Sequence, residues 1–225
     1  MAHAFDLIVF DWDGTLMDST AHIAHAIQRA CADMGVTVPS AQAARQVIGL
    51  SLNEALTIAC PDVPADRYTE LVDAYRKHFF LGDQDVTLFD GVTEGLEAIR
   101  ARGIMTAVAT GKSRRGLTRA LDTSGLNDCF VATRTQDDCP SKPHPAMLLE
   151  LMDELCVAPD RTLMVGDTTH DLLMAQQAGT HGAGVCSGAH PRSALEDCNP
   201  LGLFEDFMEF RSWLLPLIGS IDTTS

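Results

Sequence analysis

The spacing of apolar residues changes character along the chain. Residues 5–10, FDLIVF, form a short apolar run of strand character that stops at Asp11. From about Ser19 the apolar positions recur at helical intervals. Ile23, Ala26, Ile27, Ala30 and Met34 share one face, and Gly35 is a natural stop. Further helices are predicted at about 40–48, 51–59 and 64–80, punctuated by Pro39, Pro61 and Pro64. No strand is expected between 19 and 85.

After Asp90-Gly91 strands and helices alternate. The pattern predicts a helix at 92–102 ending at Gly103, then the strand GIMTAVAT to Thr110, then a helix at about 114–123. A short strand CFVA follows, with a helix at about 145–156 and the strand RTLMVG ending at Asp167. A helix from Asp171 to Gly179, a last strand HGAGV and a helix around 204–215 complete the reading. Such alternation indicates a mostly parallel sheet covered on both faces. The expected fold is therefore α/β: a doubly wound, Rossmann-like core built from residues 1–17 and 86–225, with residues 18–85 as an all-helical insertion.

A chain of 225 residues buries roughly 70% of the surface its unfolded form exposes, enough for a core with a modest insertion. No apolar run reaches the ~18 residues of a membrane span, and the N-terminal MAHAFDLIVFDWDG lacks the basic start of a signal peptide. Net charge is −15, from 16 Lys and Arg against 31 Asp and Glu, which argues against a nucleic-acid partner. A small phosphorylated ligand remains compatible, provided that a cation offsets the repulsion. Seven cysteines without CxxC spacing read as reduced packing residues of a cytoplasmic protein. A monomer and a homodimer are equally compatible with these properties.

Ligands of open α/β sheets collect beyond the carboxyl ends of the strands. Four stretches place polar groups there: Asp11 with Asp13, Thr110-Gly111-Lys112, Lys142-Pro143, and Asp167 with Asp171. A surface turn would explain an isolated Asp-Gly, and Asp171 alone would suit a helix N-cap. Four such stretches in order, each at a strand end, point to a site instead. Alternate residues of a strand normally face opposite ways, so Asp11 and Asp13 share a site only if the chain curls, which Gly14 permits.

These stretches, DWDGTL, Thr-Gly-Lys, Lys-Pro and GDTTHD, resemble the four motifs of the haloacid-dehalogenase-like hydrolases. The helical insertion looks like the cap of that superfamily's phosphoglycolate-phosphatase-like branch. Trp12 departs from the usual Phe. The resemblance implies a Mg²⁺-dependent phosphatase acting through an aspartyl-phosphate. Asp11 would be the nucleophile and Asp13 the general acid and base. Thr110, Gly111 and Lys142 would hold the phosphoryl group. The metal would take Asp11, the Asp13 backbone carbonyl and Asp167, with Asp171 behind them or reached through water. The dehalogenase branch lacks the second aspartate, so Asp13 favours phosphoryl chemistry.

Arg45, in ARQVIG, resembles the basic residue of the cap's substrate-facing loop and is a candidate for binding a substrate carboxylate; a solvated helix Arg explains it equally. His22 could reach the cleft near the hinge, while His170 and Lys112 have no assigned chemistry. The expected partner is a small phosphorylated metabolite, first 2-phosphoglycolate, then a sugar phosphate or nucleotide. A sugar-phosphate mutase needs the same motifs. A non-catalytic protein binding a phosphate ligand or partner on this fold is the reading from another class.

Overall fold

The computed structural model describes residues 4–81 and 86–219, so the segment boundary expected near residue 85 lies outside the described residues. β1 (Leu7–Phe10) is followed by four helices, α1 (Thr20–Asp33), α2 (Ala41–Gln46), α3 (Leu52–Ala59) and α4 (Tyr68–Leu81). The chain then alternates: α5 (Val92–Arg100), β2 (Met105–Ala109), α6 (Arg114–Ser124), β3 (Ala132–Arg134), α7 (Ala146–Leu155), β4 (Thr162–Gly166), α8 (Thr169–Ala178) and β5 (His181–Val185). It ends with α9 (Arg192–Glu196), β6 (Gly202–Phe204) and α10 (Phe207–Leu217). The six strands form one sheet in the order β3-β2-β1-β4-β5-β6, every pair parallel.

The run Leu7-Ile8-Val9-Phe10 is continuous because β1 is central and buried on both faces. Ile8 and Phe10 pack with Leu96 and Ile99 of α5 and Phe207, Phe210 and Leu214 of α10. Leu7 and Val9 pack on the other face with Met147, Leu148 and Leu151 of α7 and Met174 of α8. The four inserted helices carry a core of their own, in which Ile27, Ala44, Leu56 and Leu71 are fully or almost fully buried. Ser40 and Ser51 cap α2 and α3 by accepting the backbone N–H of Ala43 and Glu54.

Several boundaries differ from the sequence reading. The third strand forms at Ala132–Arg134 rather than at 129–132, because Cys129 lies in a 3-10 turn that tucks it into the core. α8 begins at Thr169, two residues before Asp171, and β6 and α9 were not expected at all. No helix of the described residues is long and apolar enough to cross a membrane.

Candidate active site

The parallel register sets Phe10 level with Val108 and Val165, so Asp11, Thr110 and Asp167 leave the sheet at one edge. Beyond Asp11 the chain curls tightly. The N–H groups of Leu16 and Met17 both donate to the Trp12 carbonyl at 3.0 Å, and Gly14 sits at φ 84°. That left-handed conformation suits glycine, and a Cβ there would lie 2.2 Å from Asp167 Oδ2. The curl turns Asp11 and Asp13 toward the same cavity, while the Trp12 ring packs into the core edge-on to Phe130.

Lys142 is the centre of the buried charge network. Its ammonium donates to Asp11 Oδ1 at 2.6 Å and to Asp171 Oδ1 at 2.7 Å, with all three side chains essentially inaccessible. Asp171 is not an N-cap. Thr168 caps α8, and Asp171 completes the capping box one turn in, its Oδ2 accepting the Thr168 N–H at 3.1 Å and hydroxyl at 2.7 Å. Asp167 Oδ1 accepts from the Thr15 hydroxyl at 2.8 Å and Oδ2 from the Ala189 N–H at 2.7 Å. Asp11 Oδ2 is buried and has no hydrogen-bond partner among the described residues.

The electrostatics follow from burial. Loss of water pushes the Asp11 carboxyl up to about 7, Lys142 pulling it back only in part and Asp171 adding to the rise. Burial also raises Asp167 well above the usual carboxylate range, with Asp11 and Asp171 adding like charge. Burial alone would weaken the Lys142 ammonium, yet attraction to Asp11 and Asp171 outweighs it and holds Lys142 above its ordinary value.

Asp13 is held separately. Its Oδ1 accepts the Ser19 hydroxyl at 2.6 Å and pairs with Lys112 Nζ at 2.9 Å. Lys112, left without a role by the sequence, also lies over the Phe79 ring of α4 at 5.2 Å and so touches both core and cap. Thr110 is buried at the cavity, its hydroxyl oxygen accepting the Lys112 N–H at 3.2 Å and its proton left to donate elsewhere. Gly111 lies directly beneath the cap loop: a Cβ there would meet the Leu50 carbonyl oxygen at 2.3 Å.

That loop, between α2 and α3, is fastened by the core. Gln136 and Ser141 accept the backbone N–H groups of Leu52 and Ser51 at 2.8 and 2.9 Å. His190 Nδ1 accepts the Thr169 N–H, which leaves its proton on Nε2 to donate to the Gln46 carbonyl at 3.1 Å. His170 Nε2 reaches the same carbonyl at 3.2 Å. Arg45 is exposed on α2 and does not line the cavity. His22 does not line the cavity but ties α1 to α4 behind its wall, through the Phe79 carbonyl at 2.7 Å. Sequence reasoning missed Ser19, Gln136, Ser141 and His190, and it named Lys112 without giving it a role. Lys112 alone had a signal, since it follows Thr110-Gly111 beyond a strand end.

The residues present fit a hard cation. Carboxylate oxygens of Asp11, Asp167 and Asp171 lie within 4.8 Å of one another. Three buried carboxylates face a single buried ammonium, Lys142, so a cation among them would balance charge that the lysine leaves over. Asp171 already accepts three hydrogen bonds from Lys142 and Thr168, against two at Asp167 and one at Asp11, so Asp11 and Asp167 keep the greater capacity for a metal.

A parallel sheet whose strand ends gather these carboxylates and one buried lysine under a helical cap defines a hydrolase, and the chain belongs to the haloacid dehalogenase-like hydrolases, whose family model matches residues 8–185. Among relatives, the "Probable phosphatase IndB" of Dickeya dadantii is 37% identical over 209 residues, covering 90% of each chain. A phosphoglycolate phosphatase of Thiobacillus denitrificans is 31% identical over 182 residues, covering 76% of this chain and 79% of its own. The crystal structure of a predicted phosphoglycolate phosphatase from Haemophilus somnus superposes with a TM-score of 0.82 at 26% identity, covering 95% of this chain and 99% of that one.

Proposed function

We propose that the chain is a Mg²⁺-dependent phosphomonoester hydrolase acting through an aspartyl-phosphate on Asp11. The observation that carries this is the asymmetry of the Asp11 carboxylate. Oδ1 is anchored by Lys142, while Oδ2 is buried without a partner in a residue that lines the cavity. An oxygen that no protein donor occupies keeps its lone pairs for an electrophile entering beside it, as a carboxylate nucleophile requires.

Oδ2 attacks phosphorus as the ester P–O bond breaks, and Asp13 gives its proton to the departing alkoxide. Asp13 then takes a proton from water, the water attacks the aspartyl-phosphate, and phosphate leaves with Asp11 restored. Thr110 and Gly111 supply donors to the phosphoryl oxygens and Lys142 supplies charge. Asp171 acts by holding Lys142. Asp11, Asp167 and the Asp13 carbonyl would hold Mg²⁺, which when bound neutralises phosphoryl oxygens approached by a carboxylate. In this reading residues 18–85 are the cap and 1–17 with 86–225 the catalytic core. In the same reading, seven cysteines without CxxC spacing suit a cytoplasmic placement.

Phosphate release from a panel of phosphomonoesters, with and without Mg²⁺, tests the reading. Turnover that needs Mg²⁺ and falls at least about a thousandfold in Asp11→Asn is expected, since nucleophile removal costs factors of this order. Turnover that survives the substitution would remove Asp11 from the chemistry.

A further inference from the structure

The cavity above Asp11 measures about 500 Å³. That lies in the range that encloses drug-sized ligands. The polar groups nearest the candidate chemistry, Asp11, Asp13, Thr110 and Lys112, belong to the strand ends of the core, and further polar side chains such as Ser113, Thr123 and Gln136 line the core side. The cap side is a different surface. Ile23 and Ile27 of α1, Val47, and Tyr75 and Phe79 of α4 line it, and Leu88 closes it where the chain returns to the core. The rings of Tyr75 and Phe79 are stacked, 5.7 Å between centroids at 28°.

A two-carbon phosphate acid matches this cavity poorly. It would occupy the phosphoryl end and leave the aliphatic and aromatic wall of Ile23, Ile27, Val47, Tyr75 and Phe79 facing water. Its carboxylate would also need a cation. Lys112 is already paired with Asp13 at 2.9 Å, and the cavity's other cations among the described residues, Arg76 and Arg119, are exposed. Arg119 lies over the half-exposed Phe80 ring at 4.9 Å. Arg45, the sequence's candidate for that carboxylate, is not in the cavity.

Building on the phosphatase reading above, we propose that the alcohol half of the substrate is a bulky, predominantly apolar group, of the size of an arylalkyl alcohol, which Tyr75, Phe79 and the α1 isoleucines select against short acids. Burial of that group excludes water from Asp11 until the ester bond has broken, and the open end of the cavity then admits the hydrolytic water.

The test compares phosphates of primary alcohols, whose leaving groups are chemically alike, on the full chain with Mg²⁺: n-propyl phosphate, 3-phenylpropyl phosphate and 2-phosphoglycolate, with 4-nitrophenyl phosphate as an activated reference. With the buried phenyl ring counted as roughly three methylenes at about fourfold each, 3-phenylpropyl should exceed n-propyl phosphate in kcat/KM by roughly sixtyfold. Phe79→Ala and, separately, Tyr75→Ala should each shrink that ratio about tenfold, a readout that cancels any general loss of activity. Equal rates for the two esters, or 2-phosphoglycolate as the best substrate, overturn the inference and leave the phosphatase reading standing. No turnover of any ester, the activated one included, overturns both.

Discussion

Lys142 shows how one buried cation can organise several carboxylates. Two charges removed from water are stabilised only if each is matched closely, and Lys142 matches Asp11 at 2.6 Å and Asp171 at 2.7 Å. Replacing it by methionine keeps the aliphatic stem and leaves both acids uncompensated. Breaking a buried pair in this way costs about 3–5 kcal/mol, softened here because Asp11 can take up a proton. Lys142→Met should therefore lower the unfolding midpoint in urea and reduce kcat about a thousandfold or more, as expected when transition-state charge loses its partner. An unchanged midpoint would mean that the pair is not the anchor its distances suggest. Asp171, by contrast, acts at one remove. It was legible in the sequence as an acid near a helix start, but its capping box needs Thr168 and its ion pair needs Lys142, 29 residues away. A residue's place on the chain does not reveal which of its two oxygens faces which partner.

At the scale of elements, long and strongly patterned segments were readable. β1, β2, β4 and the helices α1 to α8 fall close to where periodicity places them. The failures have local causes. β3 carries Thr133 and Arg134 at the sheet edge, so its polar content hides it, while the apolar Cys129 and Phe130 beside it pack into the core from a turn. β6 and α9, three and five residues long, are too short for either period to register. Tertiary seats such as Gln136 and Ser141 under the cap loop carry no sequence pattern at all. Gly111 makes the seat consequential: a Cβ would strike the backbone carbonyls of Leu50 at 2.3 Å and Gly49 at 2.7 Å, neither of which can rotate away. Gly111 has no positive φ, so alanine strains only the contact and not its own backbone. Gly111→Ala should push the cap loop outward and raise KM about tenfold or more, with a smaller effect on kcat. Steady-state kinetics on the best ester of the panel would show it, and a KM within twofold of the parent would mean that the loop yields freely.

At the scale of the whole molecule, the two sheet faces and the four inserted helices hold separate hydrophobic cores, joined by the chain crossings beside Asp13 and Leu88 and by the fastened loop at 46–52. The carboxylates nearest the candidate metal sit on β1 and β4 ends, supported by Lys142, Thr15 and Ala189, none of them in the cap. Cation binding should therefore depend on the sheet, and ester recognition on the cap. Leu71 of α4 separates the two, being wholly buried among cap residues. Leu71→Ala removes a side chain whose loss from a packed interior costs about 2–5 kcal/mol, enough to loosen α4 and with it Tyr75 and Phe79. Calorimetric titration with Mg²⁺ should give an affinity within about twofold of the parent, because the carboxylate cluster keeps all its neighbours. Over the same protein kcat/KM for bulky esters should fall more than about tenfold, as the wall that contacts the alcohol half loses its support. If Mg²⁺ affinity fell in step with kcat/KM, the cap and core would be one cooperative unit, and the division of labour between metal site and substrate wall would have to be abandoned.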